Sequence, residues 1–144
     1  MTVLTTRAAD AASLTKRLER PGGLLVVCLC AAWCDACREF RTTFERLAAA
    51  HPGASLVWLD IEDDSALAGD IDIENFPTLA VYRAGKPVFF GVTLPQEGTI
   101  ARILAALAAP EGRVVEVPNG IADLPRMLGE HARRAVESAT PKVP

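Results

Sequence analysis

The sequence predicts an α/β fold, a central mixed β-sheet flanked by helices, with an extra C-terminal segment. Three observations predict it. Two short apolar runs, Leu24 to Leu29 and Ser55 to Leu59, bracket a helical stretch. A pair of β-rich runs then flanks Ala84-Gly85, and an amphipathic helix follows that pair. The order β-α-β and then β-β-α requires parallel and antiparallel pairing in one sheet, with a right-handed parallel crossover.

Each element has its own signal. Asp10 to Arg20 suits a helix, with Leu14 and Leu18 four apart and Pro21-Gly22-Gly23 ending it. LLVVCL, from Leu24, is wholly apolar and branched, the pattern of a central strand buried on both faces. CREFRTTFERLAAA, from Cys37, sets Phe40, Phe44 and Leu47 at helical intervals and ends at His51-Pro52-Gly53. SLVWL is a second buried strand, leading into DIEDDSALAGD, a turn and a short helix. In PTLAVYRAGKPVFFG the two runs around Ala84-Gly85 form a hairpin. Ile100, Ile103, Leu104 and Leu107 then fall on one face of a helix. Beyond it, RVVEV (Arg113 to Val117) suits an extra strand, Ile121 to Val136 a helix, and ATPKVP a frayed tail.

Composition narrows the function. The chain has 144 residues, 50% hydrophobic and 23% charged, the profile of one globular domain that buries a core without disulfide staples. A net charge of −3 gives no general attraction to nucleic acid or anionic lipid, and no basic cluster is interleaved with aromatics. The N-terminus lacks the unbroken apolar core of a secretory signal, and the run from Leu24 to Trp33 is too short to span a membrane. These features lead to an expectation of a cytoplasmic protein with neither nucleic-acid nor membrane partners. No phosphate-binding glycine loop, dinucleotide fingerprint or Ser/His/Asp arrangement is present.

All four cysteines fall within ten positions, in CLCAAWCDAC from Cys28 to Cys37. In a reducing compartment such a cluster points to catalysis or metal rather than to structural disulfides. As a metal cage the C-x-C-x3-C-x2-C string is poor, because Cys28 and Cys30 share one face of an apolar strand, whereas structural zinc ligands come from turns. His51, at a helix end, and His131, expected on the surface, add nothing to it. As a redox pair, Cys34-Asp35-Ala36-Cys37 is well placed where a buried strand hands over to a helix. Cys34 lands at the helix N-terminus, where free N–H groups and the dipole favour a thiolate. Cys37 follows one turn later and more sheltered, positioned to close a disulfide or expel a bound partner.

AAWCDAC resembles the active-site segment of the thioredoxin family, which carries a Trp before a C-x-x-C. Phe76-Pro77-Thr78 is similar to the family's apolar-Pro-Thr segment, whose cis proline faces the dithiol, and Gly85-Lys86 and Gly91 also fall at family positions. The resemblance covers residues 1–109 as a thioredoxin-like domain and leaves 110–144 as a C-terminal extension. It implies a thioredoxin-like fold in which Cys34 attacks a substrate disulfide and Cys37 resolves the intermediate. Trp33, Phe76, Pro77 and Gly91 would shape an apolar substrate face. No cofactor is implied. The expected partners are protein disulfides and a thioredoxin reductase or other dithiol donor.

The sequence departs from the family at telling places. Cys28 stands where a buried Asp usually lies under the second cysteine, and Trp58 where a lysine often pairs with that Asp. Losing both is coherent, since one buried charge left alone costs several kcal/mol. Cys28 is then either an apolar filler or a third redox thiol trading disulfides with Cys37. Cys30, at an often aromatic position, is expected in the core. Asp35 replaces the first residue of a Gly-Pro dipeptide; it either opposes Cys34 ionisation, favouring a reductant, or caps the helix. The acidic set Asp60, Glu62, Asp63, Asp64, Asp70, Asp72 and Glu74 lacks a calcium-loop pattern and reads as a solvated rim favouring basic partners. The extension either covers a sheet edge or docks a partner or second copy. The functional expectation is a thiol–disulfide oxidoreductase. The alternative is a thioredoxin-fold binding module or assembly chaperone with weak redox turnover.

Overall fold

The computed structural model describes residues 3–20, 23–31, 33–64, 67, 71, 73, 76–92, 96–108, 113–118 and 120–139. Asp70, Asp72 and Glu74 of the acidic set, Pro21-Gly22, most of the expected short helix after Asp64, and residues 140–144 lie outside these. Four strands, β1 (Leu24–Cys30), β2 (Ser55–Asp60), β3 (Thr78–Arg83) and β4 (Lys86–Val92), form one sheet in the order β2-β1-β3-β4. β1 pairs parallel with β2 and antiparallel with β3, so the sheet is mixed as the element order requires. A single parallel rung, Leu4 with Val57, extends it beyond β2.

All seven residues of β1 are buried, because helices cover both of its faces. Val26, Cys28 and Cys30 face α2 (Asp35–Ala50) and α3 (Glu97–Leu107), in a core with Phe40, Phe44 and Leu104. Leu25, Val27 and Leu29 face the other way, into a core with Leu14 of α1 (Ala11–Glu19) and Leu128 of α4 (Leu124–Ala139). The period-two alternation of β1 thus puts Cys28 and Cys30 on one face and Leu25 and Leu29 on the other. Close approach fixes one glycine: a Cβ on Gly23, just before β1, would sit 2.9 Å from the Gly53 carbonyl oxygen. Ala84 (φ 53°) and Gly85 (φ 78°) both take left-handed backbone, the two-residue turn that matches the twist of the β3–β4 hairpin.

The C-terminal segment differs from expectation in two ways. Residues 113–118 form no strand; only the Val115 N–H reaches β4, donating to the Pro87 carbonyl at 2.9 Å. A strand residue's N–H and C=O point to the same side, and Pro87 has no N–H to return, so the ladder stops at one bond. The helix beyond is no edge cover either. Ile121, Leu124, Leu128 and Ala132 are fully buried, and α4 packs with α1 in the core on the Leu25, Val27 and Leu29 face of the sheet. The buried Tyr82 hydroxyl donates to the Ile121 carbonyl at 2.6 Å, tying the segment to β3. His131, expected at the surface, is half-buried and donates from Nε2 to the Thr6 carbonyl at 2.8 Å.

Leu128→Ala is expected to lower unfolding free energy by about 2–5 kcal/mol in a denaturant titration, the usual cost of emptying a closed core. A loss within the range of surface substitutions would mean that α4 is a loosely held appendage.

Candidate active site

The apolar stripe of α2 explains why its two cysteines differ. Cys37, Phe40, Phe44 and Leu47 recur at three- and four-residue intervals and are buried together. Cys34 precedes that stripe as the N-cap residue, with extended backbone (φ −86°, ψ 117°), and stays partly exposed. Its N–H is held by the Ala31 carbonyl at 3.0 Å and its carbonyl accepts the Arg38 N–H at 3.2 Å. The sulfur of Cys34 therefore lies at the helix start, where N–H groups without intrahelical partners favour an anion. Cys37, only 1% exposed, sits one turn in.

Asp35 is not the cap. It occupies the first helical position, makes no capping bond, and pairs with Arg38 one turn on. The ion pair offsets part of the negative charge that Asp35 brings beside Cys34.

Cys28 and Cys30 face the same core as Cys37, and their sulfurs lie 3.5 Å apart. The bond between those two sulfurs is matched by shared burial with Cys37, Phe40 and Phe44. Burial, followed by the hydrogen bond to Cys30, pushes the Cys37 thiol well above its usual range, against a smaller opposing effect from the Ala31 backbone. Cys30 is raised further, first by its hydrogen bond to Cys28 and then by burial. All four cysteines are free thiols. Among the described residues, no group of three or more His, Cys, Asp or Glu side chains is arranged to hold a metal ion.

Trp58 pairs with Cys28 across β1 and β2. Its ring packs against Phe44 at 5.8 Å between centroids, and the Arg41 guanidinium lies 5.0 Å above it. An aromatic and a cation thus occupy the zone where the family pairs lysine with Asp. A cleft of about 500 Å³ opens beside it, lined by Cys37, Arg38, Arg41, Trp58, Asp60 and Asp64 among others. Cys34, Trp33 and Phe76 do not line it, so Cys37 borders a second space distinct from the outer face.

On the outer face, Trp33 is 61% exposed and meets Phe76 edge-on, with centroids 5.6 Å apart and planes at 87°. The Phe76–Pro77 peptide is cis. Val92, also exposed, follows Gly91 in β4, and a Cβ on Gly91 would meet open space. Glu62 has a role that the sequence did not reveal: its carboxylate accepts the Trp33 indole N–H at 2.7 Å. The turn carrying it is fixed by Asp60, whose Oδ1 accepts the N–H groups of Glu62 and Asp63 at 2.8 and 3.0 Å. Cys30, placed in the core by sequence, is buried there.

Brief treatment with iodoacetamide at neutral pH is expected to label Cys34 and leave Cys28, Cys30 and Cys37 unmodified until the protein unfolds. Because the Cys37 pKa is raised, its labelling should grow only at strongly alkaline pH. Equal labelling of Cys34 and Cys37 at pH 7 would contradict the burial that separates them.

Comparison with known proteins agrees with this architecture. A thioredoxin from Staphylococcus aureus is 30% identical over 83 residues, covering 57% of this chain and 80% of that protein. Protein disulfide-isomerase A4 from Bos taurus is 29% identical over 77 residues, 51% of this chain but only 12% of that much longer protein. The X-ray structure of Fasciola hepatica thioredoxin superposes with a TM-score of 0.57 at 27% identity, over 74% of this chain and 98% of that one. The Thioredoxin family profile matches residues 5–105, and this chain belongs to the thioredoxin family.

Proposed function

We propose that this protein is a thiol–disulfide oxidoreductase that reduces or exchanges protein disulfides through Cys34 and Cys37. The observation that carries this reading is the asymmetry of the two thiols. One is partly exposed at a helix N-terminus, and the other is buried one turn behind it. A substrate sulfur is attacked by the Cys34 thiolate, and the displaced substrate thiolate takes up a proton. Cys37 then gives up its proton and attacks Cys34, releasing the second substrate sulfur and leaving a Cys34–Cys37 disulfide. Trp33, Phe76 and the open strip at Gly91 present an apolar ledge for the substrate chain beside Cys34, with cis-Pro77 buried rather than on the expected surface. The nearby Asp60, Glu62, Asp63 and Asp64 favour substrates with basic flanks.

The resolving step has no buried carboxylate to receive its proton, since Cys28 occupies that place. Water in the cleft bordering Cys37 serves instead, between the charges of Arg38, Arg41 and Asp60. Burial holds the Cys37 thiol above its usual range, which opposes its attack on Cys34. That observation favours a second reading, a thioredoxin-fold binding module or assembly chaperone whose dithiol turns over weakly. In either role the protein works in a reducing compartment, the cytoplasm being the simplest, with a thioredoxin reductase or another dithiol restoring it.

Reduction of insulin by a dithiol donor decides between the readings. The oxidoreductase should accelerate it, with Cys34→Ser abolishing the effect. Cys37→Ser should stall as a mixed disulfide between Cys34 and the substrate. Slow turnover unchanged by Cys34→Ser would leave only the binding module.

A further inference from the structure

We propose that a pocket at the end of the sheet away from the dithiol binds a short aliphatic carboxylate, held by the guanidinium of Arg83. The disulfide chemistry does not use this site. Cys34 follows the last residue of β1, whereas Arg83, which ends β3, pairs with Leu24 at the start of β1.

Three buried side-chain nitrogens lack a hydrogen-bond partner among the described residues: Arg17 Nε, Arg83 Nη1 and Arg83 Nη2. All three belong to guanidinium groups. Arg17 is otherwise engaged, since its Nη2 donates to the Pro52 and Ala54 carbonyls at 3.1 and 3.0 Å. The fork of Arg83 has both terminal nitrogens sealed from bulk water and unpaired. A buried donor left in that state is costly, and a charged one more so.

Arg83 lines a pocket of about 310 Å³ with Leu24, Ala54, Leu104, Ala105 and His51 among others. That volume is at the small end of the range of about 300–1,000 Å³ for small-molecule sites. Its described lining includes one arginine, no carboxylate and mostly aliphatic surface. A neighbouring hollow of about 520 Å³ shares Gly23, Leu24 and Gly53, but it sets Glu19 beside Arg17 and Arg20. Charge of both signs is already present there, so the Arg83 pocket is the better anion site.

The chemistry of the ligand follows from these features. Two adjacent unpaired Nη groups match the two oxygens of a carboxylate. One arginine suits a monoanion better than a phosphate dianion. Aliphatic walls accept an alkyl tail, and the small volume keeps that tail short. His51 directs its Nδ1 back to the Leu47 carbonyl of its own helix, at 2.9 Å. A slight turn of the Arg83 stem presents both nitrogens to the pocket, and a bidentate pair replaces an unpaired cation. The C-terminal ends of α2 and α3 also border the pocket, through His51, Leu104, Ala105 and Ala108. Their partial negative charge opposes an anion, so binding must depend on the fork itself.

Calorimetric titration of the full chain with octanoate tests the site. Arg83→Met keeps the stem and removes the fork, while Ala105→Phe adds bulk at the pocket wall. The wild type is expected to bind one octanoate saturably, with affinity about tenfold or more lower in each variant. Octanol, which has the same tail without the charge, should bind more weakly than octanoate. Without ligand, Arg83→Met should match or exceed the wild type in a denaturant titration, because an unpaired buried cation has gone. Absence of saturable binding to the wild type would overturn the proposal. So would unchanged affinity in either variant, or octanol binding as tightly as octanoate. A clear loss of stability in Arg83→Met would also overturn it, by showing that the guanidinium already has a partner. All these readouts are independent of insulin reduction, which tests the dithiol separately.

Discussion

Burial of β1 on both faces determines where Cys34 and Cys37 stand. A strand enclosed by two helical layers cannot slip by one residue, because that would exchange Leu25 and Leu29 for Cys28 and Cys30 across the sheet. With the register pinned between β2 and β3, the chain leaves β1 at Cys30 and re-enters regular structure at Asp35. The start of α2 is thereby placed at the end of the strand, with Cys34 at its cap and Cys37 on the stripe that packs back toward β1. The chemical difference between two identical side chains follows from that connection.

The same core shows how a buried charge can be dispensed with. The position opposite Trp58 is a thiol that needs no counter-ion, and Trp58 itself is a ring that needs no carboxylate. Arg41 supplies a cation near this zone while remaining on the helix surface, stacked over the aromatic face. The two positions make a neutral, polarisable pair, avoiding the desolvation that two buried charges would incur.

What could be read from the sequence follows which interactions are local. The strand LLVVCL, the stripe from Cys37 to Leu47 and the Ala84-Gly85 turn each declare themselves through periodicity or backbone preference, and each is where its signal puts it. The WCDAC segment and the Phe76-Pro77 pair were legible for the same reason. Failures came where the partner lies far along the chain. Val114, Val115 and Val117 have strand-like chemistry, but Pro87, nearly thirty positions away, gives their ladder no second bond. His131 looks exposed on its own helix until the Thr6 carbonyl arrives from the other end of the chain. Period-two alternation put Cys28 and Cys30 on one face, yet it could not say that Cys37 shares their core. That depends on how α2 lies across β1.

The two tryptophans stand in opposite surroundings, and this gives the molecule a built-in pair of optical probes. Trp33 is open to solvent, with its indole N–H on Glu62 and its ring against Phe76 beside the dithiol. Its emission will respond to whatever settles on that ledge and to the oxidation state of Cys34. Trp58 is wedged between Phe44 and a guanidinium, in contact with the core that unfolding disperses. Replacing either ring singly would separate the two signals, so docking and global unfolding could be followed in one cuvette without an added label.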